Sequence, residues 1–358
     1  MPSTSLRLVV VVASVLVFLA NAAAAPAAPF PPATPNLSND LTVNPSAKIA
    51  EPSDDVAHPG VWTEWWYVHL MDPASMRQIV VAIFNAPVPM VGGVFMYPDG
   101  AEPISLANGL PSFSFPHTGA VLDGLPGVRT NLGALNFDVA AGAYHLALTA
   151  PFDIDVWLDG NPLPGATGRI DLKNAGEWMG WTSPVATSTA RGSFGLPGAG
   201  RVDVTGWRGY HDHNWGNFTM IDQAADGWEW AVSHEPDGGA ALLGGLVRRG
   251  GEWTGSITDV RPSGTRVCSS SILEVSEWTD RPDFLHGSTF SVPGKVTATC
   301  GPNEPHQFSK TFYVTDPIVA DAGILALTLE APYHTVPGSF GMLEHVRSLL
   351  ARIEQSQR

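Results

Sequence analysis

The sequence predicts an all-β protein made of two β units in tandem. Three observations carry that prediction. Short runs of β-branched and apolar residues recur from residue 61 onward, separated by clusters of Gly, Pro, Asn or Asp. Glycine (37) and proline (31) are abundant in the 358 residues, which favours turns over long helices. Only the tail carries a helical period. A hydrophobic content of 44% is enough to build a core.

The elements follow in order. Residues 1–25 read as a secretory signal. Arg7 supplies a positive start, residues 8–20 a short apolar run, and residues 21–25 small side chains for cleavage. A Pro-rich segment follows, not a basic stop-transfer flank, so no membrane span is expected after cleavage. The protein is expected to be secreted or held in the secretory pathway. Residues 26–57, rich in Pro, Ala, Ser and Asn, read as a linker.

The first unit is expected over 58–225, with strands near 61–70, 78–85 and 92–97, the last stopped by Pro98-Asp99-Gly100. Strands are then expected near 136–140, 143–150 and 154–158, stopped by Asp159-Gly160-Asn161-Pro162, and at 201–207. The second unit is expected over 226–358. Residues 227–233 alternate, and 240–248 and 253–260 form a hairpin across Arg249-Gly250-Gly251-Glu252. Further strands are expected near 271–278, 290–298, 310–314 and 324–331. Leu343, Val346, Leu350 and Ile353 recur at helical spacing and predict a short C-terminal helix over about 341–355.

The net charge of -15 argues against a nucleic-acid or anionic-membrane partner, both of which need a basic face. It also argues against long-range steering of an anionic substrate. Cys268 and Cys300 are the only cysteines. In an oxidising compartment such a pair is expected to form a disulfide. Asn217-Phe218-Thr219 and Asn36-Leu37-Ser38 are glycosylation acceptors; use of Asn217 would require an exposed turn there. Oligomeric state is not legible.

Two stretches concentrate the reactive side chains: Trp62-Thr63-Glu64-Trp65-Trp66-Tyr67-Val68-His69, and Gly209-Tyr210-His211-Asp212-His213-Asn214-Trp215-Gly216. In extended geometry, Trp62, Glu64, Trp66 and Val68 face one way and Thr63, Trp65, Tyr67 and His69 the other. In the second stretch His211, His213 and Trp215 share one face; Tyr210, Asp212 and Asn214 share the other. The aromatic residues suit core packing. Glu64, between Trp62 and Trp66, does not. A carboxylate in such a pocket has its pKa raised unless it is paired, so Glu64 is either a hydrogen-bonding anchor or a general acid.

His-x-His on a strand is able to ligate a metal with a third ligand such as His58, His69 or His234. The commoner arrangement is a hydrogen-bonded network in which Asp212 orients a histidine or a backbone turn, and no metal is expected. The flanking glycines and Asn217 point to a turn near the boundary between the units. There is no G-x-S-x-G, dinucleotide fingerprint, P-loop or H-E-x-x-H. What remains is an aromatic-lined β cavity with a few polar groups. It suits an apolar small molecule and acid–base or hydrogen-bond catalysis with no cofactor.

Together, Glu64-Trp65-Trp66-Tyr67 and the stretch from Gly209 to Gly216 resemble the signature of a superfamily of tandem lipocalin-like proteins. It includes the carotenoid 1,2-hydratases (hydroxyneurosporene synthases), AttH-like proteins, kievitone hydratase and fungal Diels–Alderases. The resemblance covers residues 58–358 in layout, with only these two motifs specific. It implies an N-terminal lipocalin-like β-sandwich or open barrel, a C-terminal lipocalin-like β-barrel, and a pocket at or between them. It also implies cofactor-free work on alkenes. Hydratases protonate a double bond and add water, Diels–Alderases fold a polyene and polarise a carbonyl, and some relatives add an internal hydroxyl.

One departure bears on the reaction. In carotenoid hydratases a Tyr and an Asp on the strand after the His-Asn-Trp motif belong to the proposed acid–base set. Here that strand, 240–247, has neither. The leading expectation is therefore a secondary-metabolite cyclase of Diels–Alder type, with a hydratase or hydroalkoxylation enzyme as the alternative and a non-catalytic carrier as a third. Trp65, Trp66, Tyr67, Trp215 and Trp228 are expected to shape the cavity. Glu64, Tyr210, His211 and Asp212 are expected to polarise or protonate the substrate.

Overall fold

The structure, a computed structural model, describes residues 46–348 except 87, 97–111, 150–152, 173–176, 197–199, 219–224, 249–252, 283–288, 315–316, 322–324 and 335–336. The signal, Asn36 and the turns at 98–100 and 249–252 lie outside the described residues. Among those described, every regular element is a strand apart from one 3-10 turn at Pro52–Asp54.

The first sheet holds β1 (Ser46–Ile49), β2 (Thr63–Met71), β3 (Gln78–Ala86), β4 (Met90–Met96), β5 (Ser112–Pro116), β6 (Gly127–Thr130) and β7 (Gly133–Asp138). It continues with β8 (Ala143–Leu148), β9 (Asp153–Leu163), β10 (Ala166–Leu172), β11 (Glu177–Leu196), β12 (Gly200–Asp203) and β13 (Arg208–Asn217). Its order is β5-β4-β3-β2-β13-β11-β9-β8-β7-β6, and the chain after β5 folds back onto β6, where Val121 N–H donates to Arg129 O at 2.9 Å. β13 thus lies mid-sheet, antiparallel to β2 (Trp215 opposite Glu64, His213 opposite Trp66, Asp212 opposite Tyr67) and to β11.

The second sheet begins with β14 (Ala225–His234), β15 (Ala240–Arg248), β16 (Trp253–Arg261), β17 (Gly264–Cys268) and β18 (Ser271–Ser276). A small ribbon, β19 (Thr279–Pro282) with β20 (Thr289–Val292), stands apart. The second sheet resumes with β21 (Lys295–Cys300), β22 (Ser309–Val314), β23 (Pro317–Asp321), β24 (Leu325–His334) and β25 (Phe340–Ser348). Its main order is β17-β16-β15-β14-β25-β24-β22-β21-β18. Cys268 at one edge is disulfide-bonded to Cys300 beside the other, with Cα atoms 5.6 Å apart. Ser271 of β18 donates to Gly255 O of β16 at 2.9 Å, so the two edges are fastened together.

Two cores explain the patterning. Val232, Ala240, Leu242, Val260 and Met342 of the second sheet pack into one core with Tyr67 and Tyr210 of the first and with Trp207, just before β13. Ala231, Leu243, Ile257, Phe312 and the disulfide fill a second core. Full burial of one large apolar side chain contributes roughly 1.5–3 kcal/mol. Strands at the seam between the sheets are therefore buried on both faces. Strands on the far side keep the alternation of a half-solvated sheet: Ile154, Val156 and Leu158 are buried in β9, while Asp153 and Asp155 are exposed.

Several expectations are corrected. The tail over 340–348 is strand, not helix. β25 runs between β14 and β24, and Met342 enters one core while Leu343 enters the other. Apolar residues on both faces erase the two-residue period, which is why the stretch mimics a helical one; residues 349–358 lie outside the described set. The stretch 46–57, read as linker, is built into the fold: β1 pairs with β10, and Asp55 is fully buried. Asp159-Gly160-Asn161-Pro162 does not end its strand. β9 continues to Leu163 through an irregular pairing with β11, with Asn161 at φ 51°.

The stretch from 209 to 216 is a buried central strand, not a turn. Its glycines answer close approach. A Cβ on Gly209 would lie 2.5 Å from Leu158 Cδ2, and Gly216, at φ +151°, would place one 2.2 Å from Trp178 O. Asn217 ends that strand half-buried, with its Oδ1 shut off from solvent, and the rest of its acceptor triplet beyond Phe218 lies outside the described residues.

Candidate active site

β13 carries two different environments on its two faces, as pleat geometry requires. On one face, His211 Nδ1 donates to Tyr67 O at 3.0 Å and Nε2 meets Asp55 Oδ2 at 2.9 Å. His213 stands between two carboxylates, with Nδ1 at 3.1 Å from Asp55 Oδ1 and Nε2 at 3.3 Å from Glu64 Oε1. Glu64 Oε1 also accepts from the His58 N–H at 2.7 Å, and Oε2 accepts from Asn85 Nδ2 at 2.7 Å. Trp66 stacks on His213 at 4.1 Å, and Trp215 stacks on His58 at 4.3 Å.

Asp55, Glu64, His211 and His213 are completely buried. Burial alone would raise both acids. Opposing hydrogen bonds and charge from the histidines outweigh it, holding Asp55 far below the carboxylate range and Glu64 at about 2. Burial lowers the pKa of His213, but its two carboxylate partners raise it above the ordinary value. This face is an ionic node tying the segment before β2 to β2, β3 and β13.

His58, Glu64 and His213 bring three donor atoms within 4.8 Å of one another, a spacing that a metal could use. Within the trio, Glu64 Oε1 lies 3.1 Å from His58 Nδ1 and 3.3 Å from His213 Nε2. Both nitrogens of His213 face carboxylates, and both oxygens of Glu64 accept hydrogen bonds.

The other face of β13 looks across the seam at the second sheet. Tyr210 Oη donates to Asp212 Oδ2 at 2.6 Å, accepts from Trp230 Nε1 at 3.3 Å, and lies 3.1 Å from Ser183 Oγ. Asn214 Nδ2 donates to Asp212 Oδ1 at 2.9 Å. The Tyr67 ring stands 6.3 Å from that of Tyr210 and 5.4 Å from that of Trp230. Its hydroxyl is buried and, among the described residues, has no hydrogen-bond partner. An unpaired buried hydroxyl costs about 1–3 kcal/mol and marks a place where a ligand or water polar group would bind.

Glu344 of β25 lies opposite Trp230 in the ladder, and Trp228 Nε1 donates to its Oε2 at 2.9 Å. Burial pushes Asp212 up to about 6, against hydrogen bonds from Tyr210 and Asn214 and the nearby histidines. Burial pushes Glu344 up to about 7, opposed by Trp228 and reinforced by the charge of Asp212. Burial also keeps the phenols of Tyr67 and Tyr210 neutral, as donors. Two carboxyls pushed up toward neutrality, with an unpaired phenol between aromatic walls, have the chemistry that a candidate acid–base site requires.

The structure therefore divides the expected catalytic set. Tyr210, Asp212 and Tyr67 meet at the seam. Glu64 and His211 belong to the ionic node, where Glu64 is the anchor and not an acid with a raised pKa. Trp66 and Trp215 pack on that node too. Trp65 shares the face of Tyr67 and packs against Phe84 and Phe218, at 6.1 and 5.9 Å. Trp228 holds Glu344. The sequence reading missed Asp55, Trp230 and Glu344. Asp55 sits in linker-like composition and gives no signal. Glu344 gives one: a lone acid inside the apolar run Phe340-Gly341-Met342-Leu343.

No family model matches the sequence, and no curated relative matches it. Solved structures do. An AttH protein from Nitrosomonas europaea superposes with a TM-score of 0.55 at 16% identity, covering 83% of this chain and 97% of its own. Kievitone hydratase from Nectria haematococca gives 0.53 at 11% identity, covering 87% and 95%. CghA in complex with Sch210972 gives 0.51 at 12% identity, covering 82% and 94%. With Glu64-Trp65-Trp66-Tyr67 at the heart of β2 and the His-Asn-Trp stretch paired beside it, this chain has the lipocalin-like fold that these three proteins share.

Proposed function

We propose that the chain is an enzyme that adds a hydroxyl, from water or from the substrate itself, across a carbon–carbon double bond of an apolar small molecule, using side-chain acid–base chemistry at the seam. One observation carries the reading: Asp212 is buried at the seam, hydrogen-bonded to Tyr210 beside Tyr67 and Trp230, and that burial pushes its carboxyl up to about 6. A positioned acid or base poised near the working pH contributes about 10²–10⁴-fold. The kievitone hydratase likeness supports the reading at the level of fold. A carboxylic acid is weak, so the substrate class is an alkene whose protonation gives a tertiary or allylic cation.

The leaning toward cyclisation rested on the missing acid and phenol in 240–247. Asp212 and the Tyr67 and Tyr210 phenols supply both groups from β13 and β2, so the weight moves to addition. Cyclisation is kept as the second reading by the free Tyr67 hydroxyl, which would polarise a carbonyl without any proton transfer. Action in the secretory pathway belongs to the same proposal, supported by the fastened Cys268–Cys300 pair.

The test is incubation of the full chain with kievitone and a panel of isoprenoid alkenes, read by mass spectrometry. A product one water heavier supports hydration. A product of unchanged mass is separated by its structure into hydroalkoxylation or cycloaddition. Sch210972 binding, read by tryptophan fluorescence, reports the apolar seam; binding without turnover on any alkene would make the chain a carrier.

A further inference from the structure

We infer that Glu344 is a second catalytic carboxyl at the seam, the group that hands its proton to the alkene, with Asp212 the base that takes a proton from the incoming hydroxyl. The inference rests on the addition reading and assigns its two proton transfers.

The hydrogen-bond inventory divides the roles. Asp212 accepts a donor on each oxygen, Tyr210 Oη on Oδ2 and Asn214 Nδ2 on Oδ1. Donors aimed at both oxygens favour the ionised form, so Asp212 suits the base. Glu344 accepts only on Oε2, from Trp228 Nε1, and among the described residues no donor meets Oε1. That oxygen is free to carry a proton. The titratable groups facing Glu344 among the described residues are Asp212 of β13 and Tyr67 of β2. Asp212 when ionised repels a second negative charge, and the shared burial leaves room for one carboxylate, not two. The proton therefore resides on Glu344.

Trp230 and Trp228 link the groups physically. Trp230, opposite Glu344 on the neighbouring strand, donates to Tyr210, which donates to Asp212. The seam thus carries an acid on the second sheet and a base on the first, with aromatic rings between them.

The step balances. The Glu344 O–H bond breaks and its proton bonds to one alkene carbon through the π electron pair, leaving a cation at the other. The oxygen of water or of a substrate hydroxyl attacks that cation, and its O–H proton passes to Asp212. Glu344 ends ionised and Asp212 protonated. Exchange with bulk water, which half-buried Glu344 can reach, restores both.

The experiment uses the full chain with kievitone in H2O and D2O. In D2O the wild type is expected to place deuterium on the former alkene carbon next to the one that gains the hydroxyl. Its kcat/KM is expected to rise as Asp212 ionises and fall as Glu344 ionises. Glu344→Gln is expected to lose at least about 100-fold in kcat with KM changed less than about threefold, and Glu344→Asp to recover part of the loss. A substrate-free readout guards against misfolding: of the infrared C=O bands of protonated carboxyls, the one that ionises at the higher pH should vanish in Glu344→Gln, leaving the Asp212 band, while Sch210972 binding persists. If the wild type turns over and Glu344→Gln keeps its rate, or the band survives, the role of Glu344 is overturned and the addition reading stands. A wild type inert on kievitone and on the whole alkene panel sinks both.

Discussion

The Tyr210 hydroxyl donates to Asp212 Oδ2 at 2.6 Å, while His211, the residue between them, turns to the opposite face of β13 and meets Asp55 at 2.9 Å. One strand therefore serves two purposes through its pleat. Its even-numbered face presents exchangeable protons to the seam between the sheets. Its odd-numbered face is clamped by buried ion pairs that fix where the even-numbered face stands. Precision at an acid–base site depends on such support, because proton transfer fails when donors drift from hydrogen-bonding distance.

Tyr210→Phe isolates the seam side of this relationship. Removing the hydroxyl takes away a hydrogen bond that favours ionised Asp212, so its pKa should move upward from about 6. The acidic limb of the kcat/KM profile is expected to shift up by about one unit, with a fall of about tenfold at the optimum. A limb that stays in place would remove Asp212 from that profile.

Asp55→Ala isolates the other side. It leaves His211 without its buried carboxylate partner and His213 with Glu64 alone, and breaking such a pair costs about 3–5 kcal/mol. The midpoint of urea unfolding should fall accordingly. Asp212→Asn, by contrast, is expected to abolish turnover while changing stability at neutral pH by less than about 1 kcal/mol, since it removes a charge that burial disfavours. Equal loss of stability in both variants would mean that the two faces are not functionally distinct.

The ionic node also fixes the acid limb of stability. Glu64 has its pKa lowered from 4.5 to about 2 in the fold. A lowered acid contributes stability that is fully present above the unfolded pKa and is lost as pH falls from there through the folded value. Unfolding titrations should thus lose on the order of 3 kcal/mol between those two pH values from this group. Glu64→Gln is expected to flatten that stretch of the curve. Asp212 has the reverse sign: its pKa is raised from 3.8 to about 6, so its ionisation works against the fold as pH rises through that window.

The alternation within the two motifs was legible in the sequence. Glu64, Trp66, His211 and His213 do share one side, and Tyr67, Tyr210 and Asp212 the other, because pleat geometry depends on residue number alone. Which face would be functional was not legible. That depends on what packs above each face: Trp230 and Glu344 above one, Asp55 and His58 above the other, all distant in sequence. Strand β11 was missed because Gly, Ser, Thr and Ala dilute its pattern, and two irregular pairings with β13 break its period. The C-terminal helix was misread for the opposite reason, since apolar residues occupy both faces of β25.

The Cys268–Cys300 bond joins the two ends of the second sheet and not a local hairpin. β17 is the last strand on one side, Cys300 pairs with Ser271 of β18 on the other, and the cysteines are 32 residues apart. A cross-link of that span stabilises by about 2–4 kcal/mol, largely by restricting the unfolded chain. The double variant Cys268→Ser with Cys300→Ser is expected to unfold at a lower urea concentration by that amount. Its hydrogen exchange should quicken first in β17, β18 and β21, where the edges part. β2 and β13, held by the ionic node in the other sheet, should keep their protection, and turnover below the unfolding transition should survive. Uniformly faster exchange in both sheets would show instead that the bond stabilises the whole chain as a single cooperative unit.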